Sequence, residues 1–205
     1  MGSQAQESAV LDVGCGYCQF LRALQSRGLR LLRGIDVEAN AVAYGRQLGL
    51  QVDECTVGDF LGAPGTDRYD LIMMSHVLEH LPKDQVIETL RGLRALLRPG
   101  GTLIVCVPNA QSNTGAYWAY EDFTHTTLFT AGSLVYVARM AGFADIRFID
   151  VDATAGSSLP RRTLRRLLLA AYRANRHFWN KVTASAYHAP SPEIYSYEIK
   201  VALRG

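Results

Sequence analysis

Glycines and acidic residues near the amino end of the chain have the types and spacing of a ligand-binding turn. Asp12, Gly14 and Gly16 follow a short apolar run, and Asp36 stands twenty residues after Gly16. Glycines at a sharp strand-to-helix turn let backbone N–H groups approach a ligand closely and point the helix N-terminus at it. An acid at the tip of the following strand can bind both hydroxyls of a ribose. The pair therefore predicts a nucleoside-binding site.

A dinucleotide is the first alternative ligand for this turn. Its G-x-G-x-x-G fingerprint requires a third glycine at position 19, where the chain has Gln19. An adenosine with an amino-acid tail has no pyrophosphate to bind, so it does not need that glycine.

Cys15 and Cys18 form a C-x-x-C pair at the start of the predicted helix, the placement used by thioredoxin-like redox sites. A redox site leaves the glycines and acids of the turn unexplained, so we interpret both cysteines as small residues of the ligand-binding turn. A zinc site would need a second such pair, which Cys55 and Cys106 do not form.

The segment His76-Val77-Leu78-Glu79-His80 fits the H-x-x-E-H pattern of inverted zinc-protease sites. Two histidines at i and i+4 of a helix could share a metal ion. Pro82 instead indicates that the helix begins near Lys83, and the sequence supplies no identifiable third ligand. We therefore predict no metal site and interpret the segment as a turn.

Aromatic and polar residues are mixed from Trp118 to Phe129. The segment is too aromatic for an exposed loop and too polar for a core, which favours the wall of a pocket. Within it, Asp122 and His125 are three residues apart and could orient one another. His125 could equally stabilise the loop by a hydrogen bond, and the sequence favours neither alternative.

The rest of the chain alternates between strand and helix patterns. Near-continuous apolar runs separated by helical spacing indicate a parallel sheet that is covered on both faces. Period-two patterns at 146–151 and 194–203 predict a final hairpin-like pair of strands. The other predicted strands cover 9–13, 29–37, 50–57, 71–74 and 102–107, and the predicted helices include 39–48, 83–97 and 131–140.

Composition narrows the class of protein. The chain has 205 residues, 48% of them hydrophobic and 20% charged, which suits one globular domain and excludes disorder. No apolar run approaches the ~18 residues of a membrane-spanning helix, and the polar start excludes a secretory signal. Scattered cysteines in apolar surroundings then favour a cytoplasmic protein. The formal charge of +2 is too small to indicate nucleic-acid binding.

Several motifs, in order, resemble the class I S-adenosylmethionine-dependent methyltransferases, in the branch that acts on small molecules and glycans. The resemblance covers about residues 10–149 and the last strand. It departs from the family where Cys18 replaces a frequent glycine, and where the helix that often precedes the first strand is absent, so a natural amino-terminal segment is expected to be missing. The matching motifs are Val10–Gly16 (VLDVGCG), Asp36, Gly58-Asp59-Phe60, Tyr69–Ser75 followed by His76–Leu81 (HVLEHL), and Leu97–Gly101 (LRPGG).

The resemblance implies a doubly wound, Rossmann-like α/β fold. Its mostly parallel seven-stranded sheet would have an antiparallel last strand and lie in three α/β/α layers. Residues 1–205 would form a single methyltransferase domain. Within it, 109–130 would be an aromatic and polar insertion, and 153–192 a basic amphipathic helical insertion.

The resemblance also implies S-adenosylmethionine as the cofactor, with S-adenosylhomocysteine as the product. The implied contacts extend from the methionine part to the adenine and to the reaction centre. They are Asp12, Gly14, Cys15 and Gly16 at the methionine part, Asp36 with the adjoining Val37 at the ribose, Asp59 and Phe60 at the adenine, and Ser75 and His76 at the reaction centre.

The implied reaction is methyl transfer, and we expect an oxygen of a sugar, glycan or other small molecule as the acceptor. Segments similar to Asp122–Thr130 occur in relatives that modify sugars and surface glycans. An alcohol acceptor must lose its proton, and His125 is the first candidate base and His80 the second. An amine or carboxylate acceptor would need no base. The alternative is a non-catalytic interaction module that binds a membrane or an acidic partner.

Residues 153–192 contain no aspartate or glutamate and carry seven cationic residues, so the remainder of the chain has a net charge of −5. A basic amphipathic helix with Tyr172 and Trp179 at its margins is typical of helices that lie on anionic bilayers. Docking to a membrane through 160–182 and a lid over the active site are equally favoured, and nucleic acid is least favoured. The apolar stripe of this helix consists of Leu164, Leu167, Leu168, Ala171, Phe178 and Val182.

Overall fold

The computed structural model describes residues 7–63, 65, 67–185 and 192–205. Within these ranges the chain forms seven strands. They are β1 (Val10–Val13), β2 (Leu32–Asp36), β3 (Gln51–Glu54), β4 (Tyr69–Ser75), β5 (Leu97–Pro108), β6 (Asp145–Ile149) and β7 (Glu198–Arg204).

The strands form one sheet in the order β3-β2-β1-β4-β5-β7-β6. Neighbours from β3 to β5 pair in parallel, whereas β7 is antiparallel to both β5 and β6. The predicted seven-stranded, mostly parallel sheet with an antiparallel last strand is therefore confirmed. The chain order reverses between β1 and β4, and open α/β sheets bind ligands at the carboxyl ends of strands beside such a reversal.

Helices cover both faces of this sheet. Leu11 and Val13 of β1 pack into one buried cluster, whereas Val10, which precedes them and points to the opposite face of the sheet, packs into a second cluster with Leu21 and Val42. The helices of the described residues are α1 (Gln19–Gln25), α2 (Ala39–Gln47), α3 (Val57–Gly62), α4 (Lys83–Ala95), α5 (Gly115–Glu121), α6 (Ala131–Met140) and α7 (Leu159–Val182), with a short 3-10 turn at Leu78–His80.

Several elements differ from the sequence prediction: β5 begins at Leu97 rather than at residue 102, and β7 begins at Glu198 rather than at residue 194. The strand predicted to reach residue 57 ends at Glu54, because Thr56 caps the N-terminus of α3 and Asp59 bonds back to the Thr56 amide. The aromatic segment also contains a helix, α5, that its mixed pattern did not indicate. The last two differences concern short elements whose stability depends on local capping and tertiary contacts rather than on a long apolar period.

Helix α7 occupies most of the segment 153–192, of which residues 186–191 lie outside the described residues. None of the residues of α7 is buried. Its apolar stripe faces away from the rest of the protein, with Leu167 at 64% exposure and Phe178 at 57%. No helix in the described part of the chain is both long enough and apolar enough to cross a bilayer.

Candidate active site

A cavity of about 470 Å³ lies at the carboxyl ends of β1, β2 and β4. Five of the residues singled out from the sequence line it, namely Gly14, Asp36, Val37, His76 and His80. The other lining residues are Val13, Ile35, Cys55, Thr56, Val57, Val77, Leu81 and Thr124. The cavity is thus mostly apolar, with a few polar groups that converge on it, as is usual for small-molecule sites.

The glycine turn after β1 requires its glycines. Gly14 has a φ of +70°, and a Cβ built there would overlap the side chain of Val77. Gly16 has a φ of +47° with open space where a side chain would be. A larger residue at Gly14 would therefore displace the segment after β4, and one at Gly16 would occupy space beside the turn.

Asp36 connects the glycine turn to the end of β2. One carboxylate oxygen accepts the amide proton of Gly16 at 2.7 Å, and the other accepts that of Glu38 at 2.9 Å. The amides of Gly14 and Cys15 both donate to the carbonyl of Ile35. The turn is therefore bound directly to β2, and the half-buried Asp36 carboxylate forms part of the cavity wall.

Asp12 lies behind the cavity wall and is 4% exposed. Burial, with a smaller contribution from the charge of Asp36, raises the pKa of Asp12 to about 7. Its carboxyl group consequently exchanges a proton near neutral pH, which is unusual for an aspartate.

The C-x-x-C pair does not have the features of a redox site. Cys15 and Cys18 are both buried, with their Sγ atoms 3.8 Å apart. Burial raises the pKa of both thiols, so the thiolate that exchange requires is disfavoured. Cys18 has a φ of +58°, a conformation that glycine adopts without strain. This conformation accounts for the glycine that is frequent at this position in the methyltransferase family that the sequence resembles.

Asp59 and Phe60 lie in the first turn of α3 and do not line the cavity. The Asp59 carboxylate accepts the hydroxyl proton of Thr56 at 2.6 Å. The Phe60 ring packs beneath the guanidinium of Arg33, 4.9 Å from its centre. The start of α3 places this ring against Arg33 of β2, so Phe60 is not among the residues that line the cavity, and its contact with the adenine stays a prediction.

Ser75 ends β4, and the adjoining His76 has a φ of +54° and contacts two buried carboxylates. Its Nδ1 is 3.1 Å from Glu79 Oε1, and its Nε2 is 3.3 Å from Glu198 Oε2, to which Cys106 donates its thiol proton. These contacts, with Cys106, Glu198 and Glu79 in decreasing order, raise the pKa of His76 to about 12. The imidazole is therefore protonated at neutral pH and is not a candidate base.

His80 is held by a chain of hydrogen bonds at the cavity. Its Nδ1 lies 2.8 Å from the hydroxyl of Thr124, which in turn donates to Asp122 Oδ1 at 2.6 Å. The contacts to Thr124 hold the pKa of Asp122 below its usual range. Asp122 is therefore an ionised carboxylate, which accepts hydrogen bonds but cannot donate one. Since Thr124 gives its one hydroxyl proton to Asp122, it accepts from His80 Nδ1–H, and Nε2 takes no part in this chain of hydrogen bonds.

His125 packs against His80, with ring centres 4.7 Å apart, but it does not line the cavity. Its Nδ1 is 2.7 Å from the carbonyl of Trp118, and its Nε2 is 4.0 Å from Asp122. Asp122 is thus closer to the Thr124–His80 chain than to His125, and the hydrogen bond from His125 to Trp118 agrees with the alternative in which His125 stabilises the loop. The two candidate bases are adjacent, but only His80 reaches the cavity wall.

Sequence reasoning missed the residues that hold these histidines. Glu79 is fully buried, and its backbone carbonyl accepts the amide of Thr126 at 2.8 Å, which fixes the aromatic segment to the turn after β4. Glu79 belongs to the H-x-x-E-H pattern that was visible. Glu198 is 122 residues from His76, and no local signal connects positions that far apart.

A larger cavity of about 840 Å³ lies at the opposite edge of the sheet, near the amino ends of the strands. None of the residues predicted to bind a ligand lines it. Its lining includes Arg33, Tyr69 and Arg98, of which Arg33 is paired with Asp53 at 2.7 Å. The predicted ligand-binding and catalytic residues that line a cavity therefore line the smaller one.

Comparison with known proteins gives the family. A family model described as a methyltransferase domain matches residues 2–171. The chain is 31% identical over 109 residues to a ubiquinone biosynthesis O-methyltransferase of Glaesserella parasuis serovar 5, covering 49% of this chain and 45% of that protein. It is 29% identical over 112 residues to a protein of the same name from Saccharophagus degradans, covering 52% and 46%. The chain thus spans about half the length of these curated relatives.

Solved structures have the same fold. A SAM-dependent methyltransferase from Archaeoglobus fulgidus superposes with a TM-score of 0.70 at 18% identity, over 97% of this chain and 86% of that chain. An S-adenosylmethionine-dependent methyltransferase from Mesorhizobium loti gives 0.64 at 15% identity, over 100% and 94%. By its family match, the chain belongs to the methyltransferase domain family, and it has the fold of solved S-adenosylmethionine-dependent methyltransferases.

Proposed function

We propose that the chain transfers the methyl group of S-adenosylmethionine to a hydroxyl oxygen of a small molecule, with His80 as the general base. The observation that carries this proposal is the His80–Thr124–Asp122 chain at the cavity wall, at 2.8 and 2.6 Å. It keeps the proton on Nδ1 and leaves Nε2 able to accept one.

The cofactor would bind across the glycine turn and the end of β2. Asp36 and the adjoining Val37 would contact the ribose, since both line the cavity. Because Phe60 does not line the cavity, we assign the adenine side to Cys55 and Val57, which line it. The other contacts that the motifs imply are also part of the proposal: those of Gly14 and His76, which line the cavity, and those of Asp12, Cys15, Gly16, Asp59 and Ser75, which do not line it.

The chemistry divides simply between the cofactor and the protein. When bound, S-adenosylmethionine supplies a methyl group that its sulfonium already makes electrophilic. The residues of the cavity hold the acceptor oxygen behind that methyl at near-attack distance. His80 Nε2 accepts the hydroxyl proton as the oxygen–carbon bond forms, and Thr124 and Asp122 stabilise the resulting imidazolium. His125, packed on the His80 ring, would limit its rotation.

The acceptor class is narrowed by two observations. The curated relatives are named as O-methyltransferases of ubiquinone biosynthesis, which favours an oxygen acceptor and brings phenols into consideration. The segment Asp122–Thr130 is similar to those of methyltransferases that act on sugars and glycans, which favours an alcohol. Both classes require removal of a hydroxyl proton, so His80 serves either.

The test is a turnover screen of the full chain against nucleotide sugars, glycan fragments, phenols and primary amines, measured as S-adenosylhomocysteine formed. The proposal expects a phenol or sugar hydroxyl to be methylated, and His80→Gln to lower kcat with little change in the dissociation constant of the cofactor. His177→Gln on exposed α7 is the matched control. Turnover confined to amines and unaffected by His80→Gln would contradict the proposal.

A second role, peripheral membrane binding by a cytoplasmic protein, rests on helix α7. Two of its cations are paired, Arg166 with Asp152 at 2.8 Å and Arg173 with Glu193 at 3.6 Å, whereas two others, Arg161 and Lys181, flank the exposed apolar stripe. Such a stripe with flanking cations and Trp179 suits a lipid interface. No residue of α7 lines the active-site cavity, so the lid alternative has no support from it.

Vesicle flotation tests this role. We expect the chain to float with vesicles that contain anionic lipid, and Leu168→Glu to reduce the bound fraction. Ala170→Glu adds the same charge on a different side of α7 and should reduce it less. Equal loss in both variants, or no flotation of the parent chain, would contradict membrane binding and favour a protein partner or no partner.

A further inference from the structure

Three potential metal ligands from distant parts of the chain meet beside the active-site cavity. His76 follows β4, Cys106 lies on β5 and Glu198 begins β7, and one ligand atom from each lies within 4.8 Å of the others. Cys106 and Glu198 are 4% and 8% exposed, while His76 lines the cavity. The H-x-x-E-H pattern suggested His76 and His80 as ligands of one metal ion, but in the structure these two histidines belong to different clusters.

Two of the distances between the ligand atoms are close to those that a tetrahedral ion requires, and all three atoms lie within 4.8 Å of one another. Zinc with Zn–N and Zn–O bonds of about 2.0–2.1 Å separates an imidazole nitrogen from a carboxylate oxygen by about 3.3 Å, and a Zn–S bond of about 2.3 Å separates sulfur from oxygen by about 3.5 Å. His76 Nε2 is 3.3 Å from Glu198 Oε2, and Cys106 Sγ is 3.1 Å from the same oxygen. An ion could therefore bind with shifts of a few tenths of an ångström.

The groups around these ligands have the arrangement of an outer shell. His76 contacts Glu79 Oε1 through Nδ1 at 3.1 Å, which orients the ring so that Nε2 points at the other two ligands. Glu198 contacts Lys200 Nζ through Oε1 at 2.8 Å, which leaves Oε2 for an ion. Histidine ligands of metals nearly always donate their other nitrogen to a carboxylate or carbonyl in this way.

We propose that His76 Nε2, Cys106 Sγ and Glu198 Oε2 form a site for a zinc-type divalent ion with one coordination position left over. On binding, the ion takes the place of the proton between His76 and Glu198 and of the thiol proton of Cys106, and both protons go to solvent. Three protein ligands with a vacant fourth position are typical of zinc sites that bind a water or a substrate oxygen. The site does not depend on the proposed methyl acceptor.

The test is cobalt substitution in the full chain without cofactor or acceptor. Addition of Co²⁺ should give one equivalent bound per chain after gel filtration, with a thiolate-to-cobalt charge-transfer band in the near ultraviolet. Cys106→Ser should abolish the band, whereas Cys55→Ser, the same substitution outside the cluster, should retain it. Zinc should displace cobalt and bleach the spectrum.

Three further variants distinguish loss of the metal site from misfolding of the chain and from binding by another thiol. Glu198→Gln should lose the bound ion with its thermal unfolding still cooperative, and Lys200→Gln should weaken cobalt binding by about 10–100-fold, as expected for an outer partner. Cys15→Ser tests the other thiol pair and should keep the band. A band that persists in Cys106→Ser, a band lost in Cys15→Ser, or no cobalt retained by the parent chain would overturn the proposal.

Discussion

The carboxyl edge of the sheet and helix α7 are organised in opposite ways. At this edge, polar groups are held in place by hydrogen bonds within the protein. Asp36 accepts a hydrogen bond from the Gly16 amide at 2.7 Å, and the Thr124 hydroxyl links His80 to Asp122. Along α7 no residue is buried, and the apolar stripe has no partner in the described part of the chain. A preorganised edge suits chemistry, whereas an uncovered stripe suits association with something outside the chain. Variants should therefore affect one region and spare the other.

The largest expected effect is on catalysis. His80→Gln removes the nitrogen that accepts the hydroxyl proton, and general bases contribute about 10²–10⁴-fold to a rate. We expect kcat to fall within that range in a single-turnover assay of S-adenosylhomocysteine formation, with vesicle binding unchanged. A fall of less than about 10-fold would remove His80 as the base.

A smaller effect is expected from the glycine turn. Gly14→Ala places a Cβ against Val77 at a positive φ, which costs about 1–3 kcal/mol in strain. Cofactor affinity should fall roughly 10-fold or more, measured by calorimetry. Gly62→Ala is the control, because its Cβ would meet open space. Equal affinities in the two variants would show that the turn tolerates a side chain.

A substitution in the apolar stripe of α7 should weaken vesicle binding and leave cofactor binding at the carboxyl edge of the sheet unchanged. Leu168→Glu removes a leucine whose burial in lipid is worth about 1.5–3 kcal/mol, so the vesicle partition coefficient should fall about 10-fold or more. Cofactor affinity should stay at the parent value. If Leu168→Glu instead weakened cofactor binding, α7 would act on the active site and the contrast between the two regions would be wrong.

The smallest effect concerns pH and Asp12. Its folded-state pKa of about 7, raised mainly by burial, exceeds the ordinary value of 3.8, so the folded chain binds this proton more tightly than the unfolded chain. Between about pH 4 and 7, this group therefore lowers stability as pH rises. Asp12→Asn should raise the melting temperature by more at pH 8 than at pH 5, by at least about 2 °C. An equal change at both pH values would contradict the raised pKa.

What the sequence could predict was set by local geometry. Gly14, Gly16 and Asp36 were recognisable because a strand, a turn and the next strand place them together by short-range rules. A parallel sheet covered on both faces followed from the alternation of strands and helices. The direction of the Phe60 ring was not predictable, because it depends on capping by Thr56 and on Arg33 of another strand.

Long-range pairing set the other limit. Thr124 lies 44 residues from His80, and Glu198 lies 122 residues from His76. Neither pairing has a sequence period, so the preference for His125 over His80 as the base could be re-examined only from coordinates. The amphipathic pattern of α7 was visible, but the direction of its apolar face was not, because an amphipathic helix normally turns that face inward.

The proposed function requires that the Asp36 carboxylate and the neighbouring glycine turn bind one nucleoside together. Titration calorimetry of S-adenosylhomocysteine into the parent chain and into Asp36→Ala tests it most directly. We expect saturable one-site binding by the parent chain, with no measurable heat in the variant while the variant still unfolds cooperatively. Equal affinity in both proteins, or no binding by the parent chain, would contradict it.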